Sequence, residues 1–492
     1  MRRNPVMRLG DLASTEIPLA PDAAAVEITG LTADSRAVQP GFLFAAMKGV
    51  AADGLRFVPE AVQRGAVALL CATDSSLAAD PGVPVLRAED PRIALAHFAA
   101  RFYPRQPEKL VAVTGTAGKT SVAVFARQVF AAAGFGAASI GTIGIVAPWG
   151  AEYGSLTTPD PVHLHATLDR LAREGVSHAA LEASSHGLDQ HRLDGVRLVA
   201  AGFTNLGRDH MDYHPTVEDY FAAKMRLFAE ILPEGATAVI DADGPYAERV
   251  ATIARDRQQQ VVSVGAAGEG IRLLSATPSD LHQVLKLDVF GAPMEVDLPL
   301  AGGFQASNAL VAAGLAIAAG VQPAVAIAAL GHLEGAPGRL EKVGVTQSGS
   351  AVFVDYAHKP DALDHALAAL RPMTRGRLVV VVGAGGDRDA GKRPLMGEVA
   401  SRRADVVIVT DDNPRSEDPA TIRAAILAAA PGAIEIGDRR RAIAEAVAML
   451  RAGDVLCVAG KGHEAGQIVK GVVHPFSDHE AVTEAIAGGV AA

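Results

Sequence analysis

Residues 110–134 read LVAVTGTAGKTSVAVFARQVFAAAG, the pattern of a strand, a glycine turn and a helix. The turn contains Gly115, Gly118, Lys119 and Thr120. Glycines let backbone N–H groups close around phosphate oxygens, and the N-terminus of the following helix adds a favourable field. In this pattern Lys119 would neutralise the β- and γ-phosphates, and the Thr120 hydroxyl would ligate Mg²⁺. The segment therefore predicts a nucleotide-binding loop.

This loop is shorter than the usual one, because the standard pattern has a further glycine where this chain has Val113. The alternative interpretation is an ordinary glycine turn that opens a helix. The intact Gly-Lys-Thr-Ser sequence after an all-apolar strand favours the nucleotide site.

Outward from the loop, other apolar runs also end in polar residues. They are HAALEAS (178–184), LVAAGFTN (198–205), TAVIDAD (237–243), AVFVDYA (351–357), RLVVVVGAGGD (377–387), ADVVIVTDD (404–412) and DVLCVAGKGHE (454–464). Strands that alternate with helices imply a mostly parallel sheet covered on both faces, so we predict an α/β fold. Ligands of such sheets bind past the carboxyl ends of the strands, where these polar residues lie.

Two segments rich in proline, glycine and charge divide the chain. They are FYPRQPEKL (102–110) and LEGAPGRLEKV (333–343), and both are typical of linkers. We therefore predict three domains, residues 1–104, 105–335 and 336–492.

The composition excludes several classes of protein. The 492 residues are 49% hydrophobic and 20% charged, with a net charge of −10, which disfavours nucleic-acid and membrane-surface binding. The two cysteines, Cys71 and Cys457, are too few for a disulfide framework and fit a reducing cytoplasm. Residues 1–19 lack a continuous apolar core, so we predict no signal peptide. Residues 309–330 carry no charge, but GVQP (320–323) interrupts them, which predicts two buried helices rather than a membrane span.

Two stretches in the middle segment place carboxylates, histidines and a lysine near strand ends. They are LEASSHGLDQHR (181–192) and TNLGRDHMDYHPTVEDYFAAKMRLF (204–228). Glu182 ends a strand, and a carboxylate beside a phosphate loop is a ligand that Mg²⁺ prefers. The HMDYH sequence spaces two histidines as in some zinc sites, but the glutamate of the zincin pattern is missing, so zinc is disfavoured. Lys224 lies among apolar residues, and the sequence leaves open whether it reaches solvent or is modified.

The stretch TDDNPRSEDP (410–419) places one arginine, Arg415, among four acidic residues after a buried strand. One interpretation is a polar surface turn. The other is a pocket that binds a charged, zwitterionic ligand.

Taken together, these blocks resemble the Mur ligases, the ATP-dependent amide-forming enzymes of peptidoglycan precursor synthesis. The resemblance is carried in order by ADSRAVQPGFLF, VTGTAGKTS, LTTPD, LEASSHGLDQHR, TNLGRDHMDYH, YFAAKMRLF, GGFQASNAL, GRLE, VDYAHKPDAL, GAGGDRDAGKRPLM, TDDNPRSEDP and AGKGHE. Each motif alone is weak, whereas a collinear series over nearly the whole chain is specific. The resemblance implies a three-domain architecture with a central P-loop-type ATPase domain and a Rossmann-like C-terminal domain.

Within the family, the sequence DNPR marks members that add meso-diaminopimelate to UDP-N-acetylmuramoyl-L-alanyl-D-glutamate. The resemblance implies that Arg415 pairs with the distal carboxylate of diaminopimelate, while Asp412 and Asn413 hold its distal amino group. A guanidinium suits a carboxylate bidentately, and acids suit an ammonium. The resemblance also implies a monomer whose partners are small molecules only, these two substrates and ATP, with neither nucleic acid nor membrane.

The resemblance assigns roles to further residues. Those implied to complete the diaminopimelate site are Arg388, Pro414, Gly460 and Glu464. Those implied for the UDP-linked substrate are Ser35, Thr157, Thr158, Ser184, Gln190 and Arg192. Those implied for ATP are Gly115, Thr116, Ala117, Gly118, Lys119, Thr120, Ser121, Asn308, Arg339, Asp355 and His358.

The implied catalytic residues are Lys119, Glu182, His210 and Lys224. Thr120, Glu182 and His210 would bind Mg²⁺, and Lys224 matches a lysine that is carbamylated in the family. Its carbamate, derived from CO₂, would ligate a second Mg²⁺, a role that an ammonium cannot fill.

Three positions depart from the family pattern. Ala117 and Leu156 stand where asparagine is common, and Gln305 replaces an asparagine before Asn308. The alternatives are a sibling ligase that adds L-lysine or a D-alanyl dipeptide, a folylpolyglutamate synthetase, and a non-catalytic nucleotide-binding switch. Arg415 argues against the first, since the lysine-adding relative departs from arginine there. The ADSR and DNPR motifs argue against the second.

Overall fold

The computed structural model describes residues 5–14, 16–49, 53–154 and 156–488. The chain forms two compact units, residues 1–263 with 314–321, and residues 264–313 with 322–492. The three-domain division predicted from the linkers stays a prediction.

The first unit is built from short strands and helices in alternation. Its strands are β1 (Met7–Arg8), β2 (Glu27–Ile28), β3 (Gly30–Thr32), β4 (Phe42–Ala45), β5 (Ala66–Ala72), β6 (Val85–Ala88), β7 (Lys109–Thr114), β8 (Ala137–Gly141), β9 (Gly144–Ala147), β10 (Gly150–Glu152), β11 (His178–Glu182), β12 (Leu198–Phe203), β13 (Thr237–Asp241) and β14 (Gln260–Gly265). Its helices are α1 (Leu9–Ala13), α2 (Pro21–Ala24), α3 (Val58–Gln63), α4 (Pro91–Phe102), α5 (Lys119–Ala132), α6 (Pro161–Arg173), α7 (Ser185–Asp189), α8 (Val217–Arg226) and α9 (Ala247–Asp256).

The main sheet of this unit has the order β10-β9-β8-β11-β7-β12-β13-β14. Strands β8, β11, β7, β12 and β13 are parallel to one another, and β9 and β10 are antiparallel to their neighbours. A separate parallel sheet has the order β3-β4-β5-β6. Central strand β7 is apolar and buried along most of its length because helices cover both faces. Its carboxyl end therefore opens beside those of β11 and β12, its two neighbours.

The second unit contains an antiparallel meander and an α/β sheet. Its strands are β15 (Ile271–Ser279), β16 (His282–Val289), β17 (Ala292–Leu298), β18 (Glu341–Val345), β19 (Ala351–Asp355), β20 (Leu378–Val382), β21 (Val406–Val409), β22 (Ile434–Glu435), β23 (Val455–Ala459), β24 (Gly466–Val469) and β25 (Val472–Pro475). The helices are α10 (Gly303–Ala318), whose residues from 314 onward belong to the first unit, α11 (Pro323–Leu330), α12 (Pro360–Leu370), α13 (Lys392–Arg403), α14 (Pro419–Leu427), α15 (Arg439–Ala448) and α16 (Asp478–Gly488).

The α/β sheet has the order β18-β19-β23-β20-β21-β22 and is parallel except for β18. Apolar clusters cover both of its faces, which explains the unbroken valine runs of β20 and β21. Strands β24 and β25 form a separate hairpin. Each strand predicted from an apolar run is present, so the α/β prediction is confirmed.

The uncharged segment 309–330 falls in α10 and α11, and the break between these helices lies at residues 319–322. The prediction of two helices is therefore confirmed. Among the residues that the structure describes, every helix is too short or too polar to cross a bilayer.

Candidate active site

The predicted phosphate loop joins β7 to α5. Gly118 precedes the helix with a φ of +88°, in the left-handed region that glycine adopts without strain. At Gly115 a Cβ would lie 1.9 Å from the Thr204 hydroxyl oxygen, so the close approach of the two segments requires glycine. Both glycines are explained by the shape of the loop.

Residues at the end of β12 hold the loop in place. The Thr204 hydroxyl donates to the Ala117 carbonyl at 2.7 Å, and the Ala117 N–H donates to the Asn205 side-chain oxygen at 3.0 Å. The Thr116 N–H donates to the Asn205 carbonyl at 2.9 Å. The sequence interpretation missed Thr204 and Asn205. The only signal for them is their place directly after a strand, and it becomes informative once β12 is known to adjoin β7.

Two lysines converge on the Gly115 carbonyl. The Lys119 ammonium donates to it at 2.8 Å and to the Thr116 carbonyl at 3.0 Å. Lys224, on α8, donates to the same oxygen at 2.8 Å, and its side chain is buried. Burial, together with the charge of Lys119, holds the pKa of Lys224 well below its usual value. Lys224 therefore does not reach solvent, and its environment favours the neutral amine.

Glu182 is a buried carboxylate at the end of β11. It accepts hydrogen bonds from the Thr120 hydroxyl at 3.1 Å and from the Thr142 N–H and hydroxyl at 2.7 and 3.1 Å. Among its hydrogen-bond partners in the described part of the chain there is no cation. A carboxylate next to hydroxyl groups is a donor set that suits Mg²⁺, and the side chains of Thr120 and Glu182 fit that ion. Thr142 was not predicted.

His210 stands near two other histidines. Its ring centroid lies 4.9 Å from that of His186, and its Nε2 lies 3.8 Å from the Asp209 carboxylate. His214 packs at 5.7 Å from His186. Within residues 5–14, 16–49, 53–154 and 156–488, no three side chains of His, Cys, Asp or Glu are grouped to hold a metal ion by themselves.

Four of the residues predicted for the UDP-linked substrate, Thr158, Ser184, Gln190 and Arg192, form a network next to Glu182. The Thr158 hydroxyl donates to the Glu182 carbonyl at 2.7 Å and accepts from the Ser184 N–H and hydroxyl at 3.0 Å. Arg192 donates to the Thr158 carbonyl and to the Gln190 side chain, both at 2.7 Å.

Two more residues predicted for this substrate lie in the first unit. The Thr157 hydroxyl lies 3.1 Å from that of Thr142, which places it beside the same network. Ser35 is buried at the start of a separate 3₁₀ helix, Ser35–Ala37, and the described residues of the network form no hydrogen bond with it.

Three of the residues predicted to bind ATP, Arg339, Asp355 and His358, lie around Tyr356 in the second unit. The Arg339 guanidinium lies 4.8 Å from the Tyr356 ring centroid, and the His358 ring lies 4.6 Å from it. The Asp355 carboxylate accepts from the Leu340 and Ala357 N–H groups at 2.6 and 2.8 Å. Burial raises the pKa of Asp355 to about 6.

Gln305, which stands where the family pattern has an asparagine, links two residues predicted to bind ATP, Asn308 and Arg339. Its side-chain oxygen accepts from Asn308 at 3.3 Å, and its NH₂ group donates to the Arg339 carbonyl at 3.0 Å. The glutamine therefore has a clear structural role.

The acidic loop after β21 is hydrogen-bonded to the segments around it and is not a free surface turn. Asp412 and Asn413 are buried. The Asn413 side chain donates to Glu464 at 2.8 Å and accepts from the Ile468 N–H at 2.9 Å. Arg415 has a φ of +53°, and its backbone N–H donates to the Ile468 carbonyl at 2.9 Å. The β24 strand thus fixes the loop.

The charged groups of this site are arranged around the loop. The Arg415 guanidinium donates to the Gly386 carbonyl at 2.7 Å. Gly460 has a φ of +122°, and a Cβ there would lie 2.5 Å from the Asp412 carboxylate, so this close approach needs glycine. Arg388 is exposed in the turn after β20, and its neighbour Asp387 accepts a hydrogen bond from Ser416. The structure brings Asn413 next to Glu464 and Asp412 next to Gly460. Arg415 and Pro414 lie against the turn after β20, in which Arg388 is exposed.

The Arg415 guanidinium and the Asp412 and Glu464 carboxylates all lie near Tyr356, and groups of both charges can hold a molecule that also carries both. The first unit, by itself, combines a phosphate loop, a buried carboxylate and a buried lysine. These are the components of a nucleotide-dependent enzyme.

Family models match three successive parts of the chain. Residues 27–103 match the Mur ligase family catalytic domain, residues 113–316 the Mur ligase middle domain, and residues 338–462 the Mur ligase glutamate ligase domain.

Curated relatives are similar over almost the full length. A protein of Mesorhizobium japonicum is 59% identical over 98% of this chain and 99% of its own length. One of Caulobacter vibrioides is 55% identical over 98% and 99%. Both are named UDP-N-acetylmuramoyl-L-alanyl-D-glutamate–2,6-diaminopimelate ligase.

Solved structures show the same fold. A structure of a UDP-N-acetylmuramoyl-L-alanyl-D-glutamate–2,6-diaminopimelate ligase is 32% identical, covers 99% of both chains and has a TM-score of 0.74. A MurF from Acinetobacter baumannii is 18% identical over 93% of this chain and 96% of its own, with a TM-score of 0.64. A folylpolyglutamate synthase from Mycobacterium tuberculosis, complexed with ADP, is 20% identical over 75% and 91%, with a TM-score of 0.61, a likeness of fold alone. This chain belongs to the Mur ligase family.

Proposed function

We propose that this protein joins meso-diaminopimelate to UDP-N-acetylmuramoyl-L-alanyl-D-glutamate with hydrolysis of ATP, a step of peptidoglycan precursor synthesis. The observation that carries the proposal is that Arg415, Asp412 and Glu464 all lie close enough to Tyr356 to act on it electrostatically, opposite charges that suit the zwitterionic end of a diamino diacid. The names and full-length similarity of the curated relatives support the same reaction.

The reaction has two bond-forming steps. An oxygen of the D-glutamate γ-carboxylate attacks the γ-phosphorus of ATP, an acyl phosphate forms and ADP leaves. The amine of diaminopimelate then attacks the acyl carbon, inorganic phosphate leaves with the C–O bond electrons, and the nitrogen loses a proton. Both steps develop charge on oxygen, so the protein acts chiefly by positioning and electrostatic stabilisation. Lys119 is the cation that its loop places for the γ-phosphate.

Thr120, Glu182 and His210 would hold Mg²⁺, and the buried position of Glu182 next to the Thr120 hydroxyl supports this. Bound Mg²⁺ would offset the negative charge of the phosphate oxygens. Glu182 also keeps Thr142 and, through its carbonyl, Thr158 in place.

Lys224 is proposed as a carbamylated residue whose carbamate would ligate a second Mg²⁺. Carbamate formation requires a neutral amine, and burial, which lowers the pKa of this lysine, favours that form. The adjacent Lys119 ammonium would then stabilise the anionic product.

Replacing Lys224 with alanine is expected to lower turnover at least ~100-fold, as removal of a preorganised charged group does. Added bicarbonate should not restore activity. The measurement is ATP-dependent phosphate release, with Lys286→Ala as the control because Lys286 is an exposed lysine of β16. In ¹³C-bicarbonate the wild type should show a carbamate resonance that the Lys224 variant lacks. Full activity of the variant would remove the carbamate from the mechanism.

We further propose that each of three domains binds one substrate. Residues 1–104 would bind the UDP group, residues 105–335 ATP and residues 336–492 the amino acid. The protein would act as a monomer in the cytoplasm and take only small molecules as partners, without nucleic acid. The acidic net charge of −10 supports the last point.

Purified protein tests the function directly. ATP, Mg²⁺ and UDP-N-acetylmuramoyl-L-alanyl-D-glutamate are mixed with meso-diaminopimelate, L-lysine, D-alanyl-D-alanine or L-glutamate, and phosphate release and product mass are measured. We expect turnover with meso-diaminopimelate. Preferred use of another amino acid would assign a sibling ligase or a folylpolyglutamate synthetase, and ATP binding without any product would indicate a non-catalytic switch.

A further inference from the structure

Lys461 is a fully buried lysine directly after β23 that no step of the mechanism uses. Its ammonium donates to the Asn413 side-chain oxygen at 3.2 Å, the Glu464 carboxylate at 3.0 Å and the Gly466 carbonyl at 2.6 Å. A buried ammonium is tolerated only with such partners. Lys461 therefore ties the acidic loop, the turn after β23 and the start of β24 to one point.

These contacts change the charge that Glu464 presents. One of its oxygens, Oε2, accepts from both Lys461 and the Asn413 side chain. Much of the Glu464 charge is thus offset inside the protein. The Asp412 carboxylate is different. Asp412 is only 6% exposed, yet no described residue donates a hydrogen bond to its carboxylate. Asp412 is left as the acceptor for an ammonium of the ligand.

Four charged groups lie around Asn413, and the cations Lys392 and Arg439 also interact with Asp412, although Arg439 is paired with Asp478. Arg415 and Lys461 contribute two positive charges, and Asp412 and Glu464 contribute two negative charges. The far end of a diamino diacid carries one ammonium and one carboxylate, so it suits a site that offers groups of both charges. Without Lys461 the site would be more negative by one charge, which favours a bare ammonium and disfavours an added carboxylate.

We propose that Lys461 is a positioning and specificity-determining residue, which orients Asn413 and Glu464 and sets the pocket charge that selects a diamino diacid over a diamino monoacid. The inference rests on the proposed function, since it concerns the amino-acid site of that reaction.

Lys461→Met tests the proposal, with Lys342→Met as the matched control because Lys342 is an exposed lysine of β18 in the same unit. We expect the KM for meso-diaminopimelate to rise at least ~10-fold while the KM for ATP stays within about 2-fold. L-lysine is measured as a competitive inhibitor. The ratio of its inhibition constant to the KM for meso-diaminopimelate should fall at least ~10-fold in Lys461→Met.

The proposal would be overturned if Lys461→Met bound meso-diaminopimelate and L-lysine more weakly by the same factor, because a purely structural role gives no change in selectivity. An unchanged KM for meso-diaminopimelate would also overturn it. A wild-type protein that does not use meso-diaminopimelate would instead refute the proposed function. If Lys461→Met has a lowered thermal unfolding midpoint, the same measurements are made on Lys461→Gln, which keeps a hydrogen-bond donor without the charge. The same changes in KM and in the inhibition constant are expected.

A double variant with Glu464→Gln adds an independent test. Lys461 is inferred to act through Glu464. The kcat/KM of the double variant for meso-diaminopimelate should therefore be only slightly below that of the less active single variant. If the two residues acted independently, the fold losses of the single variants would multiply. Multiplied losses would contradict the proposal.

Discussion

Lys119→Met is expected to lower kcat at least ~10³-fold, which corresponds to about 4 kcal/mol of transition-state stabilisation. Lys119 is the first residue of α5, and its ammonium lies over the loop carbonyls of Gly115 and Thr116. With ATP bound, the same ammonium is placed to exchange these carbonyls for phosphate oxygens. Methionine keeps the length and apolar stem of the side chain but removes the charge, so the loop should fold while phosphoryl transfer fails.

The control for this prediction is Lys109→Met, which changes a half-exposed lysine at the opposite end of β7. Single-turnover formation of the acyl phosphate separates chemistry from ATP binding. A second effect is expected on Lys224, because the Lys119 charge contributes to the lowered pKa of that lysine. The carbamate resonance should therefore weaken in Lys119→Met. Unchanged product formation would place the catalytic centre elsewhere.

Arg415→Met is expected to lower kcat/KM for meso-diaminopimelate about 10²- to 10³-fold, or roughly 3–4 kcal/mol, the loss expected when a charged hydrogen-bonding partner is removed from a half-buried site. Most of the loss should appear in KM, because Arg415 is proposed to bind the end of the substrate that does not react. Arg415→Lys should recover only part of the loss, since an ammonium cannot pair with a carboxylate through two parallel hydrogen bonds.

Arg441→Met is a suitable control, since the Arg441 side chain is 72% exposed and pairs with Glu445 within the same helix. The KM values for ATP and for the UDP-linked substrate should not change in either Arg415 variant. An Arg415→Met protein with wild-type kcat/KM for meso-diaminopimelate would show that this guanidinium does not bind the substrate.

Local sequence predicted the parts of the fold that short-range chemistry controls. The apolar runs of β7, β11, β20 and β21 are strands, and the glycines at 115 and 118 form the turn before α5. The antiparallel meander β15–β17 was not predicted, although part of its apolar–polar alternation, as in HQVLKLDV of β16, is visible in the sequence.

Contacts between distant residues could not be predicted in this way. Thr142 reaches Glu182, and Thr204 reaches Ala117, only because β8, β11, β7 and β12 are neighbours in the sheet. Lys461 similarly meets Asn413 because β23 and β21 flank β20. Strand order is a property of the whole fold, and the sequence pattern of a single strand does not contain it.

The central claim is that Arg415 binds the distal carboxylate of meso-diaminopimelate. A crystal structure of the protein with that amino acid bound tests it most directly, through the distances from the distal carboxylate oxygens to the Arg415 guanidinium nitrogens. We expect two N–H···O contacts of about 2.7–2.9 Å, with the distal ammonium beside Asp412. Diaminopimelate bound with its distal carboxylate away from Arg415, or a pocket that stays empty at saturating concentration, would contradict it.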